Sequence, residues 1–183
     1  APTEIYTLSL HDALPICIGV RPRVCDALVE LVDFPATVYA LTGVEPGYTH
    51  FGRSLLDVVA GRIETHRDAV FCEGGRLHGE THCMELESRS SQRPEGLYWP
   101  RVNLQQSEGP EHTKAVMCRT ERYKYVRRLY ERDELYDLAA DPGELHNRID
   151  DASLAGVRAE LRDRMLTFFL ETGDVVPMET DER

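Results

Sequence analysis

The chain has 183 residues, 32 acidic and 21 basic, for a net charge of −11 at neutral pH. That balance argues against nucleic acid as a partner, because neutralising phosphates takes a basic surface. Apolar residues at 42% are compatible with a packed core, and no apolar run is long enough to span a bilayer. The five cysteines, Cys17, Cys25, Cys72, Cys83 and Cys118, have no regular spacing and make a poor disulfide framework.

The chain opens on "TEIYTLSLHDALPI", residues 3–16. Its apolar residues follow neither a helical nor a strand period, and it lacks the charged start of an export signal. The stretch resembles the conceptual translation of a widely used sequencing adapter, so residues 1–16 are set aside as a non-native segment. The remaining residues, from Cys17 onward, are then expected to be the C-terminal portion of a longer protein. "VCDALVELV", residues 24–32, is dense in Val and Leu and suits a buried strand or a short helix. "DFPATVYALTG" predicts a helix over 34–42, with Asp33 as N-cap, Pro35 in the first turn and Gly43 as the left-handed stop. Val38 and Leu41 are expected to face inward. "GRSLLDVVAG" repeats the scheme in miniature, with Ser54 capping, residues 55–60 turning and Gly61 stopping. "DAVFCEGG" reads as a strand ended by glycines.

Residues 75–113 are long, polar and irregular, as functional or disordered loops are, and Tyr98 and Trp99 within them are expected to pack on something. "KAVMCRT" and "YKYVRRLY" then predict an antiparallel pair, with "ELYDL" as a third strand. "DPGE" predicts a type II turn with φ > 0 at Gly143. Leu154, Val157, Leu161, Met165, Phe168 and Phe169 form one stripe of an amphipathic final helix, expected to anchor on the small sheet. The basic cluster Arg122, Lys124, Arg127, Arg128 and Arg132 reads as exposed strand edges, balanced by Glu121, Glu131, Asp133 and Glu134.

Four constellations bear on chemistry. Cys72, His78, His82 and Cys83 offer zinc-type donors, but in no recognised zinc spacing. The glycines of "EGGRLHGE" lack the Lys-Ser/Thr of a phosphate-binding loop. Asp150 and Asp151 have the chemistry to ligate a hard cation, though just before a helix they suit capping better. His112 and Lys114, entering a strand at the end of the long loop, are candidate contacts to an anionic substrate, and a surface role competes with that reading. The residues alone lead to a soluble α+β fragment.

"ALVELVDFPATVYALTGV", "GRSLL", "AVMCRTERYKYV" and "ELYDLAADPGELHNRI", in this order and spacing, resemble the C-terminal part of the sulfatase family, within the alkaline phosphatase superfamily. The last stretch is the most specific. The resemblance implies an α+β fold in which a small antiparallel sheet packs with a C-terminal helix, as the C-terminal fragment of an alkaline-phosphatase-like α/β fold. Residues 17–61 would be the tail of the catalytic domain, and residues 62–183 the C-terminal subdomain with its loop 75–113. In the intact parent it implies formylglycine made from a C/S-x-P-x-R motif, a bound Ca²⁺, and a sulfate ester substrate whose charge the metal and cationic groups stabilise. No such motif occurs here, and the sole His-Asp pair is His11-Asp12 in the excluded segment. No catalytic, metal or cofactor-binding residue is therefore carried over. The expected partner is the missing N-terminal catalytic domain of the same protein, and this chain alone is expected to be inactive. The alternatives are a phosphonate or phosphodiester hydrolase fragment of the same superfamily, a standalone non-catalytic binding module, and a small zinc module.

Overall fold

A computed structural model describes residues 23–80, 95–96, 109 and 112–176. The excluded stretch 1–16, together with His82, Cys83, Tyr98 and Trp99, lies outside them. The chain divides into two compact units, one comprising residues up to Val70 and from Thr172 onward, the other Phe71–Glu171.

In the first unit an extended segment leads to helix α1, Asp33–Thr42, and a short helix α2, Leu56–Val59. Leu28 makes an isolated antiparallel bridge with Arg67. Gly43 ends α1 at φ 69°, its N–H bonded to Tyr39 O at 2.9 Å, as its lack of a Cβ permits. The expected cap is different. The N-cap position is Val32, without a side-chain bond, and Asp33 is the first helical residue. Its carboxylate does accept backbone N–H groups, but those of Glu30 and Arg53 rather than of the helix's own first turn. The inward face also differs: Ala36 and Thr37 are buried, whereas Val38 is 36% exposed and Leu41 half-buried. The buried Asp33 turns α1 so that small residues, not Val38, meet the rest of the unit. Ser54 Oγ accepts from Leu56 N at 3.4 Å, and Gly61 has φ 70° just after α2.

The second unit is built on strands β1 (Val70–Gly74), β2 (Ala115–Arg119), β3 (Tyr123–Arg128) and β4 (Glu134–Asp137), side by side in that order. β2–β3 and β3–β4 pair antiparallel. The pairing places Cys118, Tyr125 and Leu135 in one row across three strands, and all three are fully buried. Helix α3, Ala155–Thr172, follows a 3-10 turn at Ala152–Leu154 whose N-terminus is capped by Asp151 through the N–H of Ser153. Along the helix Leu161 and Met165 are buried, and Phe168 stacks on Phe71 of β1 with ring centroids 4.4 Å apart. Phe169, one turn after Met165 on the same stripe, is 40% exposed and meets Phe168 edge-on at 5.4 Å. Each fully buried apolar side chain here contributes about 1.5–3 kcal/mol.

The "DPGE" turn takes another form. Glu144 N bonds Asp141 O at 3.1 Å, yet the residue with φ > 0 is Glu144, at 55°, and not Gly143. Pro142 suits type I and type II turns equally, so it does not choose between them. Lys124 Nζ bonds the Glu144 carboxylate at 2.5 Å, and Asp141 secures the following loop by accepting from His146 N at 2.8 Å. The asparagine that ends the motif extends the sheet edge. Asn147 Oδ1 accepts from Leu135 N and Ile149 N at 3.1 and 3.0 Å, and its Nδ2 donates to Asp133 O at 3.0 Å.

The basic cluster is paired throughout. Arg127 and Arg128 meet Asp133 and Glu134 as their sequence neighbourhood suggests. Arg122, Lys124 and Arg132 instead reach Asp137, Glu144 and Asp150, which are more distant in sequence. Among the described residues no helix is long and apolar enough to cross a membrane.

Candidate functional site

Three segments of the second unit meet at one end of the sheet: residues 75–80, 112–114 and 129–131. Arg76 N donates to His112 O at 2.9 Å and Lys114 N donates to Arg76 O at 3.1 Å, making a parallel bridge around Thr113. This close approach requires Gly75. Its φ is 77°, and a Cβ there would lie 2.1 Å from Thr113 O. Thr113 is buried, with its hydroxyl bonded to Glu131 Oε2 at 2.7 Å. Side chains alternate along an extended chain, so His112 and Lys114 share the side opposite Thr113. Lys114 is exposed and His112 half-buried, and Lys114 O accepts Leu129 N at 3.0 Å.

Beside them His78 stacks on Tyr130, with centroids 3.8 Å apart and planes 16° from parallel, and its N–H bonds the Tyr130 hydroxyl at 3.2 Å. Leu77 N donates to Glu80 Oε2 at 2.8 Å, closing the turn. This sheet end therefore brings the two sequence candidates, His112 and Lys114, next to Arg76, and carries His78 and Tyr130 as well. Arg76, His78 and Tyr130 were not legible as neighbours, because "EGGRLHGE" reads only as strand-end punctuation. Gly75 was the available signal, since a glycine that must be glycine marks a backbone contact. The backbone N–H groups of the cluster are used within it, so what it offers to the outside is the exposed Lys114 beside the half-buried His112.

Metal-type chemistry finds no donor set. Among the described residues no three His, Cys, Asp or Glu side chains converge. Cys72 is exposed and His78 is engaged with Tyr130, while His82 and Cys83 lie outside the described residues. Asp151 caps a turn and Asp150 pairs with Arg132. The described residues do not fit the Ca²⁺ or formylglycine of an intact sulfatase, and no step is routed through either group.

The first unit has a different polar centre. Asp33, 0% exposed, takes Arg67 Nε on Oδ2 at 2.9 Å and Arg67 Nη2 on Oδ1, together with Arg53 N at 2.8 Å and Glu30 N at 2.9 Å. His66 Nε2 lies 3.3 Å from Oδ2, and Arg67 also pairs with Glu30 at 3.0 Å. Burial pushes the Asp33 carboxyl up, but the Arg67 guanidinium and the two backbone N–H groups together outweigh it and hold it at about 2. Its atoms are engaged from every side, so it ties α1 to the loop at Arg53 and to Arg67. A shallow apolar groove of about 210 Å³ follows β2, β3 and α3 in the second unit, lined by Val116, Tyr125, Met165, Leu166 and Phe169.

The family model described as N-sulphoglucosamine sulphohydrolase, C-terminal, matches residues 76–170. The chain belongs to this family. The sulphohydrolase match begins at Arg76, in the sheet-end cluster, and runs through β2–β4 to near the end of α3. Over 49 residues the chain is 45% identical to the uncharacterized sulfatase YidJ of Escherichia coli K12, spanning 27% of this chain and 10% of that protein. Among solved structures, the phosphonate monoester hydrolase of Agrobacterium radiobacter superposes with a TM-score of 0.56 at 26% identity, covering 81% of this chain and 26% of the other. The phosphonate monoester hydrolase of Silicibacter pomeroyi gives 0.59 at 22% identity, covering 85% and 28%, a likeness of fold alone. The chain thus spans about a tenth of its curated sulfatase relative and about a quarter of these hydrolases.

Proposed function

We propose that this chain serves as the C-terminal part of a sulfatase-type hydrolase whose intact form cleaves a sulfate ester. The sulphohydrolase family match over residues 76–170 carries this reading. The missing N-terminal part supplies the nucleophile and the metal. The family resemblance implies that these would be formylglycine and Ca²⁺, a nucleophile and a Lewis acid suited to an anionic ester. This chain supplies part of the pocket rim. His112 and Lys114, set side by side by the Arg76 bridge, are the residues offered to the anionic substrate. In this reading, residues 17–61 end the catalytic domain and residues 62–183 form the subdomain that closes beside it.

The likeness to the phosphonate monoester hydrolase of Agrobacterium radiobacter supports a second reading, in which the intact enzyme cleaves a phosphonate or phosphodiester. Both substrates are anionic esters, and the same rim chemistry would serve either.

The test starts from the gene upstream of the Cys17 codon. The frame is expected to continue into a C/S-x-P-x-R motif. The intact protein should turn over an aryl sulfate faster than an aryl phosphonate monoester, and the opposite ratio selects the second reading. This chain alone should show no turnover above a protein-free blank, with or without Ca²⁺. Enzymes supply about 10⁶-fold or more from groups absent here, so measurable hydrolysis by the isolated chain would overturn the proposal.

A further inference from the structure

The shallow apolar groove of the second unit has a charged rim of one sign. Its floor is Tyr125 of β3, which is fully buried, with Val116 of β2 beside it, and its wall is formed by Met165, Leu166 and Phe169 of α3. Leu166 is 60% exposed and Phe169 40%, so the wall stands open to solvent. Residues three and four apart share a helix face, so Arg162, which lines the same groove, stands one turn before Leu166. Among the described residues, the charged ones that line the groove are both arginines, Arg127 and Arg162. In a chain of 32 acidic and 21 basic residues, such a groove stands apart. Arg127 Nη1 is held by Asp133 at 2.7 Å. Arg162 has no hydrogen bond or ion pair to another described residue. Burial and the bond to Asp133 push the Tyr125 hydroxyl up, and the guanidiniums of Arg162 and Arg127 oppose that, so both positive charges act at the groove floor.

We propose that this groove is a binding site for a small amphiphilic anion, with Arg162 as its head-group contact. Size sets the apolar part. A volume of about 210 Å³ is somewhat larger than the ~150 Å³ apolar cavity that takes up benzene, so it suits one ring or a chain of about six to eight carbons. That part lies against Met165, Leu166 and Phe169 and leaves water. Charge selects the rest. The planar fork of a guanidinium matches a carboxylate or a tetrahedral oxyanion, and Arg162 is the arginine not already held by a carboxylate. A neutral or cationic amphiphile makes the same apolar contacts and gains nothing from that fork. The occupant is a free small molecule, because the groove is too short for the acyl chains of a bilayer lipid. The site goes beyond the proposed pocket rim: it uses neither His112 nor Lys114, and its test needs no turnover.

A heteronuclear NMR titration of the full chain with sodium octanoate tests it. Octanoate should move the signals of Met165, Leu166 and Phe169 and saturate with a Kd on the order of 1 mM or below. Octanol keeps the carbon chain and lacks the charge, and inorganic sulfate does the reverse. Each should bind at least about tenfold more weakly. Arg162→Gln should weaken octanoate about tenfold and leave octanol within about twofold. Leu166→Glu sets a like charge in the groove and should bring octanoate down to the level of octanol. Both positions are exposed, so both variants should melt at the temperature of the unmodified chain. Equal affinity for octanoate and octanol overturns the inference, as does an Arg162→Gln chain that binds octanoate normally. Octanoate shifts confined to residues outside the groove do the same. Phosphatidylglycerol vesicles that bind the chain while octanoate fails to compete would mark the groove as a membrane contact, and the small-molecule site would be withdrawn.

Discussion

The two units are held together by different physics. In the second, the row Cys118, Tyr125 and Leu135 is fully buried, as are Leu161 and Met165 of α3, and apolar burial does most of the stabilising. In the first, the most buried side chains include Asp33 and Thr37, and the apolar ones beside them, Ala36, Val58, Ala69 and Val70, are small. Its centre is the Asp33–Arg67 pair with its backbone donors, while Val24 and Leu31 stay in the open. Buried ion pairs fix geometry better than they add net stability. The second unit is therefore built to hold itself together, and the first to hold a particular shape with an uncovered apolar face.

The largest expected effect tests that contrast at the ionic centre. Arg67→Met leaves Asp33 charged and buried without its main partner, which typically costs about 3–5 kcal/mol. Exchange-derived opening energies of α1 should fall by that order, while those of β3 stay put. The double variant Asp33→Asn, Arg67→Met should recover much of the loss. A loss under about 1 kcal/mol in the single variant would mean that the first unit does not depend on the pair.

Leu161→Ala is the matching cut in the second unit. It removes a fully packed side chain and should lower sheet and α3 stability by about 2–4 kcal/mol, with α1 unaffected. Loss spreading equally to both units in a thermal and exchange comparison would show one cooperative body and erase the contrast.

The pH extremes should separate the units in opposite directions, with somewhat smaller effects. Asp33 is held at about 2 against an ordinary 3.8, so the fold favours its ionised form. That stabilisation, about 2 kcal/mol, is complete above pH 4 and is lost as pH falls toward 2. In the second unit burial, and then the hydrogen bond to Asp133 at 2.6 Å, push the Tyr125 hydroxyl up to about 12 from 10. The fold favours the protonated phenol, so its contribution is complete below pH 10 and fades as pH rises through 12. An acid titration followed by exchange at α1, and an alkaline one followed by tyrosinate absorbance, should show the first unit loosening in acid and the second in alkali. Tyr125 ionising near 10 with the fold intact would contradict the second half.

The sequence by itself determined the elements whose signals are local. β-prone composition located β2, β3 and β4, the glycines after α1, α2 and β1 marked their ends, and the steps of three and four placed Leu161 and Met165 on the inner side of α3. The "ELYDL" to Asn147 stretch was the most specific part of the family resemblance, and in the structure its asparagine bonds the edge of β4. Tertiary structure decided everything that depends on partners far apart in the chain. Asp33 looked like a cap because a capping carboxylate and a buried one are the same residue, and only Arg67, 34 positions later, makes burial tolerable. Val38 lost its inward place for the same reason. Glu144 took the left-handed conformation expected of Gly143 in a turn where Lys124, twenty residues earlier, holds its carboxylate. The sheet-end cluster was half legible. His112 and Lys114 stood out by charge, but bringing Arg76 to them needs a backbone contact across the chain that only Gly75 permits, and no local pattern encodes such a contact.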